Sequence, residues 1–298
     1  MQIGRGNMRF GALAQSFSPI TYADPAAPLW ERAFINAVEL ISGRKTLVRL
    51  YESWRERWPV TGLPQWSSAL YWLGAPLVLE GASWPPPVRP DERLVVIANH
   101  PFGLLDGIAI CALAEQLRRP FKVLAHSRLM TVPEAVPYFL PIDFSENEAA
   151  TRNNIAVRQR ALAALKAGET IVIFPAGGVS TAPVKFSVKP IAEAEDLPWK
   201  NFAYRLIRAA EATVLPLYFE GQNGPMFHVA SKVSMAWRIA LLVGELNKRR
   251  GRPVRVQIGK PITWAEIGAL PSPAAAMREL RRRVYALRTQ RAAFQPQP

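Results

Sequence analysis

Leu94-Val95-Val96-Ile97-Ala98-Asn99-His100-Pro101-Phe102-Gly103-Leu104-Leu105-Asp106-Gly107 passes from five apolar residues to a polar break within two positions. A short continuous apolar run is the pattern of a strand buried on both faces. Pro101 and Gly103 then turn the chain, and the residues from 103 to 118 have helical character. The same texture continues downstream. Strands are predicted at Phe121–Ala125, Tyr138–Ile142, Thr170–Phe174, Thr213–Phe219 and Val254–Ile258. Helices are predicted at Asn153–Ala167 (closed by Gly168), Trp199–Ala212, Val233–Arg250 (closed by Gly251) and from Ser272 onward. Strands interleaved with helices imply an α/β fold, a mixed sheet flanked by helices.

Upstream of this run the texture is helical. Trp30, Phe34, Val38 and Ile41 recur at helical spacing, Leu47–Trp58 is a second candidate, and Ser67–Leu79 is apolar almost all round. Pro85-Pro86-Pro87 cannot continue a helix. The expected organisation is therefore an N-terminal helical segment over 1–88, suited to membrane association, and a main domain over 89–298 ending in a basic helix.

Three strand ends carry groups suited to chemistry. At the first, His100 is followed by Asp106 six positions later. Position i+6 lies about 240° round an ideal helix, so a continuous helix would separate them, whereas the turn through Pro101 and Gly103 can bring them together. An aspartate on one ring nitrogen fixes the tautomer and leaves the other nitrogen as a base. The second strand end is Phe174-Pro175-Ala176-Gly177-Gly178-Val179-Ser180, where backbone N–H groups can receive an oxyanion or a phosphate. The third is Val214-Leu215-Pro216-Leu217-Tyr218-Phe219, whose proline predicts an edge strand or a bulge.

The bulk composition narrows the partners. Lys and Arg number 37 against 23 Asp and Glu, a net charge of +14, which favours anions. No zinc-finger spacing or RNA-binding aromatic signature is present, so nucleic acid is not an expected partner. One cysteine, Cys111, excludes an internal disulfide and reads as core. Three histidines without ligand spacing make a metal site unexpected, and no cofactor is implied. No apolar run reaches the roughly 20 residues of a spanning helix.

In order and spacing, the His100–Asp106, Phe174–Ser180 and Val214–Phe219 blocks resemble those of the glycerolipid (lysophosphatidic-acid) acyltransferase-like family. The likeness is greatest to its bacterial hemolysin-like and lyso-ornithine-lipid acyltransferase branch. It extends over about residues 90 to 265, with Val132–Phe144 as a looser intermediate block. There are two departures. One more residue separates His100 from Asp106 than in the commonest family pattern, which narrows the match to that branch. In the Phe-Pro block, Ala176 and Val179 stand where the family usually has Glu and a phosphate-binding Arg.

The resemblance implies transfer of a fatty acyl group from an acyl carrier protein or coenzyme A thioester to a lyso-lipid hydroxyl, with lyso-ornithine lipid or lysophosphatidic acid as acceptor. It implies His100 as general base and Asp106 as its partner. Asn99, Gly103, Phe174, Pro175, Gly177, Gly178, Ser180, Lys185, Lys189 and Pro216 are expected to line the substrate site. Arg152 is a further cation for a phosphate. An acidic carrier would dock on Lys248-Arg249-Arg250-Gly251-Arg252 or on Arg278, Arg281, Arg282 and Arg283. An anionic membrane surface is the expected location, on its cytoplasmic face, with Trp54, Trp58, Trp66, Trp72 and Trp84 as interface residues. Two alternatives compete with this reading: a serine-type lipid hydrolase using Ser180, and an inactive basic membrane-surface protein.

Overall fold

The computed structural model describes Thr21, Ala23 and residues 27–142, 148–183 and 193–290. Among these, seven strands form one sheet: β1 (Leu77–Gly81), β2 (Leu94–Ala98), β3 (Phe121–His126), β4 (Phe139–Ile142), β5 (Thr170–Ile173), β6 (Thr213–Phe219) and β7 (Val254–Ile258). Their order is β1-β7-β6-β2-β5-β3-β4, and every pair is parallel except β6 with β7. The expected mixed sheet is thus present. Side chains alternate across β2. Leu94, Val96 and Ala98 join the core beneath α3 (Gln65–Leu73), α4 (Leu104–Gln116) and α8 (Met235–Arg249). Val95 and Ile97 join the opposite core beneath α5 (Glu148–Lys166), α6 (Asn201–Ala210) and α10 (Pro273–Gln290). Burying each Val, Leu or Ile is worth about 1.5–3 kcal/mol. The strand that ends at His100 is therefore anchored from both sides.

Two expectations are corrected. The apolar stretch Ser67–Leu79 is not one helix. It stops at Leu73, where Gly74 takes φ +62°, and Leu77–Gly81 becomes β1, paired with Val254–Ile258 at the sheet edge. The N-terminal segment thus contributes a strand to the main sheet, besides α1 (Leu29–Ile41) and α2 (Arg44–Arg57). Pro216 is not on an edge strand, because β6 has β2 on one side and β7 on the other. Its missing N–H falls in a break of the antiparallel ladder. Val214 bridges Ile262 and Leu217 pairs with Ile258, so two residues of β6 face three of the other chain. The helices α7 (Pro225–Val233) and α9 (Trp264–Gly268) were not foreseen. Pro225 occupies the first turn of α7, where proline is tolerated.

The tryptophans also lie differently from expectation. Trp54 and Trp66 are buried, and the Trp54 and Trp84 indoles donate to Ser68 Oγ and Leu113 O at 2.9 and 3.2 Å. Trp58 donates to Leu63 O at 2.9 Å, and Trp72 lies beneath the Arg57 guanidinium. These rings tie the helices together. Large apolar side chains left in solvent include Leu29, Trp30 and Ile41 on α1, Met226, Val233 and Met235 around the α7–α8 junction, and, nearer the tryptophans, Val60 and Tyr71. No helix among the described residues is long and apolar enough to cross a membrane.

Candidate active site

β2 delivers Asn99 and His100 to the sheet's carboxyl edge. The Asn99 side chain is fully used there, donating to Phe219 O at 2.9 Å and accepting Phe219 N–H at 2.7 Å. It locks the ends of β2 and β6 together and is itself buried. Gly103 adopts φ +84°, and a Cβ there would stand 2.9 Å from Leu242 Cδ2 and 3.1 Å from Val179 Cγ2. Only glycine makes this turn so close to both neighbours. The turn places Asp106 in the first turn of α4, fully buried, where Oδ2 accepts Phe102 N–H at 2.8 Å. Oδ1 lies 3.1 Å from His100 Nδ1. That contact is off the line of a regular N–H···O bond, but neither atom has another partner among the described residues. The two side chains face each other across this contact. The His100 side chain is 17 % exposed and its ring stacks on Phe174 at 3.9 Å between centroids.

The second block wraps around this histidine. Ser180 N–H donates to His100 O at 2.8 Å. Gly177, at φ +71°, spends its own N–H on Phe174 O at 3.0 Å, so it shapes the turn and has no donor left for an oxyanion. The amides of Gly178 and Val179 have no acceptor among the described residues, so the expected donor moves one residue along. Pro175 is buried, with its carbonyl accepting Lys200 N–H at 3.0 Å. Pro216 lies inside the sheet, in register with Ile97. Lys185 and Lys189 lie outside the described residues. Arg152 is exposed and pairs with Glu148 at 3.3 Å.

Ser180 is fully buried and its hydroxyl donates to Asp196 Oδ1 at 2.5 Å. It presents no nucleophile, which removes the chemistry of the serine-hydrolase alternative. Cys111 is also buried in the core, and burial pushes its thiol well up.

Asp196, which sequence reasoning missed, binds both blocks. Oδ1 also accepts His100 N–H at 3.2 Å, Oδ2 accepts the Trp199 indole at 2.9 Å, and its own N–H donates to Tyr285 Oη at 2.7 Å. Burial pushes its carboxyl up, and the donors from Ser180, Trp199 and His100 oppose that shift. His228, also missed, accepts Ala182 N–H on Nδ1 at 3.2 Å and faces Asn223 O with Nε2 at 3.0 Å, which fixes Nε2 as the protonated nitrogen. Two arginines of α8 approach from the same side. Arg249 lies 4.2 Å over the Phe102 ring and donates to Gln222 O at 2.6 Å. Arg238 donates to Val179 O at 2.5 Å.

Of the basic runs expected to dock a carrier, the one on α10 is largely paired with carboxylates, whereas in the other only Lys248 has such a partner among the described residues. Lys248 pairs with Glu245 at 2.8 Å, and Arg249 is turned inward onto Phe102. On α10, Arg281 pairs with Glu195, Arg282 with Glu279, and Arg283 with both Glu266 and Glu279, all at 2.7–2.9 Å. Among the described residues no group of three His, Cys, Asp or Glu could hold a metal ion.

A histidine–aspartate pair at a sheet edge, beside a glycine turn with unspent amides, is the arrangement of an acyl-transfer site that works by base catalysis. The acyltransferase family model matches residues 83–293, and the chain belongs to that family. The chain is accordingly an O-acyltransferase. The chain is similar to the lyso-glycine lipid O-acyltransferases of Phocaeicola vulgatus (26 % identical over 66 % of this chain and 69 % of that one) and Bacteroides thetaiotaomicron (27 % identical over 66 % and 71 %). Among solved structures, the 1-acyl-sn-glycerophosphate acyltransferase PlsC of Thermotoga maritima aligns over 89 % of this chain and all of its own, with 16 % identity and a TM-score of 0.49.

Proposed function

We propose that this enzyme moves a fatty acyl group from a thioester of acyl carrier protein or coenzyme A to the hydroxyl of a lyso-aminolipid. The observation that carries the reading is His100, with Nδ1 turned to buried Asp106 and Nε2 without a partner among the described residues, next to the open amides of Gly178 and Val179. Nε2 takes the hydroxyl proton as that oxygen attacks the thioester carbon. The oxyanion meets the two amides. The C–S bond then breaks, and the imidazolium returns its proton to the leaving thiolate. Asp106 holds the tautomer and balances the imidazolium. No acyl-enzyme is needed, consistent with a buried Ser180 and a buried Cys111.

The acceptor class is supported by the relatives, since both curated relatives are named for glycine lipids. We take the acceptor to be an N-acylated amino acid with a free carboxylate, such as lyso-glycine or lyso-ornithine lipid. The test is kcat/KM on these two and on lysophosphatidic acid with one donor. A preference for lysophosphatidic acid of about tenfold or more, roughly 1.4 kcal/mol, would overturn the choice.

Membrane binding is proposed through the exposed apolar residues of α1 and the α7–α8 junction, α1 being packed along α8. Anionic lipid would add electrostatic attraction to the excess positive charge. Flotation with anionic and neutral liposomes is the measurement. Loss of binding in an Ile41→Asp, Met235→Asp double variant supports this face, and unchanged binding excludes it.

A further inference from the structure

Arg238 and Arg249 both approach the site with no ion pair among the described residues, and Arg238 is the one bonded to the glycine turn. It lies in the first turns of α8, with Nη2 on Val179 O at 2.5 Å and 3.8 Å from where a Cβ on Gly178 would stand. Its guanidinium lies 5.5 Å from the centroid of the Phe227 ring. Phe227, Val179 and Leu242 form a small buried apolar cluster at this point. A guanidinium has five N–H donors, and the bond to Val179 O is the one that Arg238 makes among the described residues. No carboxylate among them lies within ion-pair distance. Burial pushes its pKa down, with no nearby acid to oppose the shift. By contrast, Arg281, Arg282, Arg283 and Arg288 each hold a glutamate.

A half-buried cation without a counter-charge costs stability unless something else compensates it. The position of this one matters. Val179 O, to which it is fixed, belongs to the residue before Ser180, and Ser180 N–H holds His100 O. The guanidinium thus stands beside the glycine turn that wraps His100, with donors that it does not spend on Val179 O. We propose that Arg238 binds the anionic headgroup of the acceptor, a carboxylate, and so selects acidic lyso-lipids. This rests on the lyso-lipid acceptor reading above. A carboxylate accepts two parallel N–H bonds from a guanidinium, which would fix the headgroup and aim the hydroxyl at His100 Nε2.

The probe is a lyso-aminolipid as its free acid and as its methyl ester, which removes the charge and keeps the hydroxyl. In Arg238→Met, kcat/KM on the free acid is expected to fall about 10- to 100-fold, mainly through acceptor KM, with the methyl ester nearly unaffected. Arg238→Lys should recover part of the loss because charge is retained. Equal losses on both acceptors, or a rise confined to the KM of the thioester donor, would overturn the assignment; the latter would move the anion to the donor's phosphate. Equilibrium binding of the same two lipids to His100→Ala, with and without Arg238→Met, separates this inference from the functional one. If the free acid binds no better than the ester, the subsite is absent. If it does bind better and no transfer is seen with wild type, the function is wrong and the subsite stands. Thermal melts of each variant identify any that fail to fold.

Discussion

His100 is held from two sides by two buried aspartates that do different things. Asp106 faces the ring and lies in the next helix turn, so in the proposed mechanism it acts on the proton. Asp196 faces the backbone amide and comes from a segment 96 positions away, so it acts on the position of the whole residue. Asp106 has one regular donor, Phe102 N–H, and its other oxygen is left for the imidazole. Asp196 has three donors and a backbone bond to Tyr285. In that mechanism one carboxylate is left available to the reaction, while the other is saturated by the fold.

The sharpest way to break this contrast is to neutralise each in turn. His100→Ala, or Asp106→Asn, is expected to cut turnover by about 10²–10⁴ with the melting temperature little changed. Near-wild-type kcat in His100→Ala would refute base catalysis by this residue. Asp196→Ala should act the other way round. It strands three donors, each at a cost of about 1–3 kcal/mol, so urea unfolding should show a loss of several kcal/mol. Partial rescue of activity on cooling would confirm that the fold is what was lost. A stable Asp196→Ala with abolished turnover would place Asp196 in the chemistry and erase the distinction.

A smaller effect is expected at His228, which clamps Ala182 to Asn223 just beyond the second block. Burial lowers its pKa. The folded state therefore resists the proton that the unfolded chain accepts. The contribution is fully present above the ordinary histidine pKa and is lost as pH falls through it toward the lowered folded value. Unfolding free energies between about pH 7 and about pH 5 should decline more steeply in wild type than in His228→Gln. Parallel slopes would assign the decline to other groups. The smallest effect is expected on α10. Reversing the charge of Arg282, an exposed partner of Glu279, should leave the melting temperature and kcat/KM nearly unchanged. A salt-dependent loss of carrier-dependent turnover would restore this helix as a docking surface.

What was legible in the sequence is what depends on short-range pattern. β2, β5 and β6 are continuous apolar runs, and each ends in a Pro- or Gly-bearing block, so the strands and the His100–Asp106 pairing follow from neighbours in the chain. β1 was misread because Ser67–Leu79 is apolar throughout. Gly74 and Pro76 were the available stop signals, and hydrophobicity outweighed them. Asp196 and Arg238 carry no local signature. One lies in a segment without periodicity, and the other is a basic residue on an amphipathic helix, where a solvated face is the ordinary expectation. Only tertiary packing gives either of them its neighbours. The tryptophans show the reverse error, since interface composition was read into rings that the helices needed for their own contacts.

The placement of β1 has a consequence for how the chain tolerates being cut. The region matched by the family begins at residue 83, just after Gly81. A fragment trimmed to that region would lose the strand paired with Val254–Ile258. The outer N–H and C=O groups of β7 would then be open along five residues, three of which (Val254, Val256 and Ile258) are buried apolar side chains. An unpaired strand of this kind is a template for strands of other molecules. Proteolysis in the linker after β1 would be harmless while the strand stayed docked and would invite self-association once it left. The residues that precede the matched region are thus the ones that keep the sheet from growing.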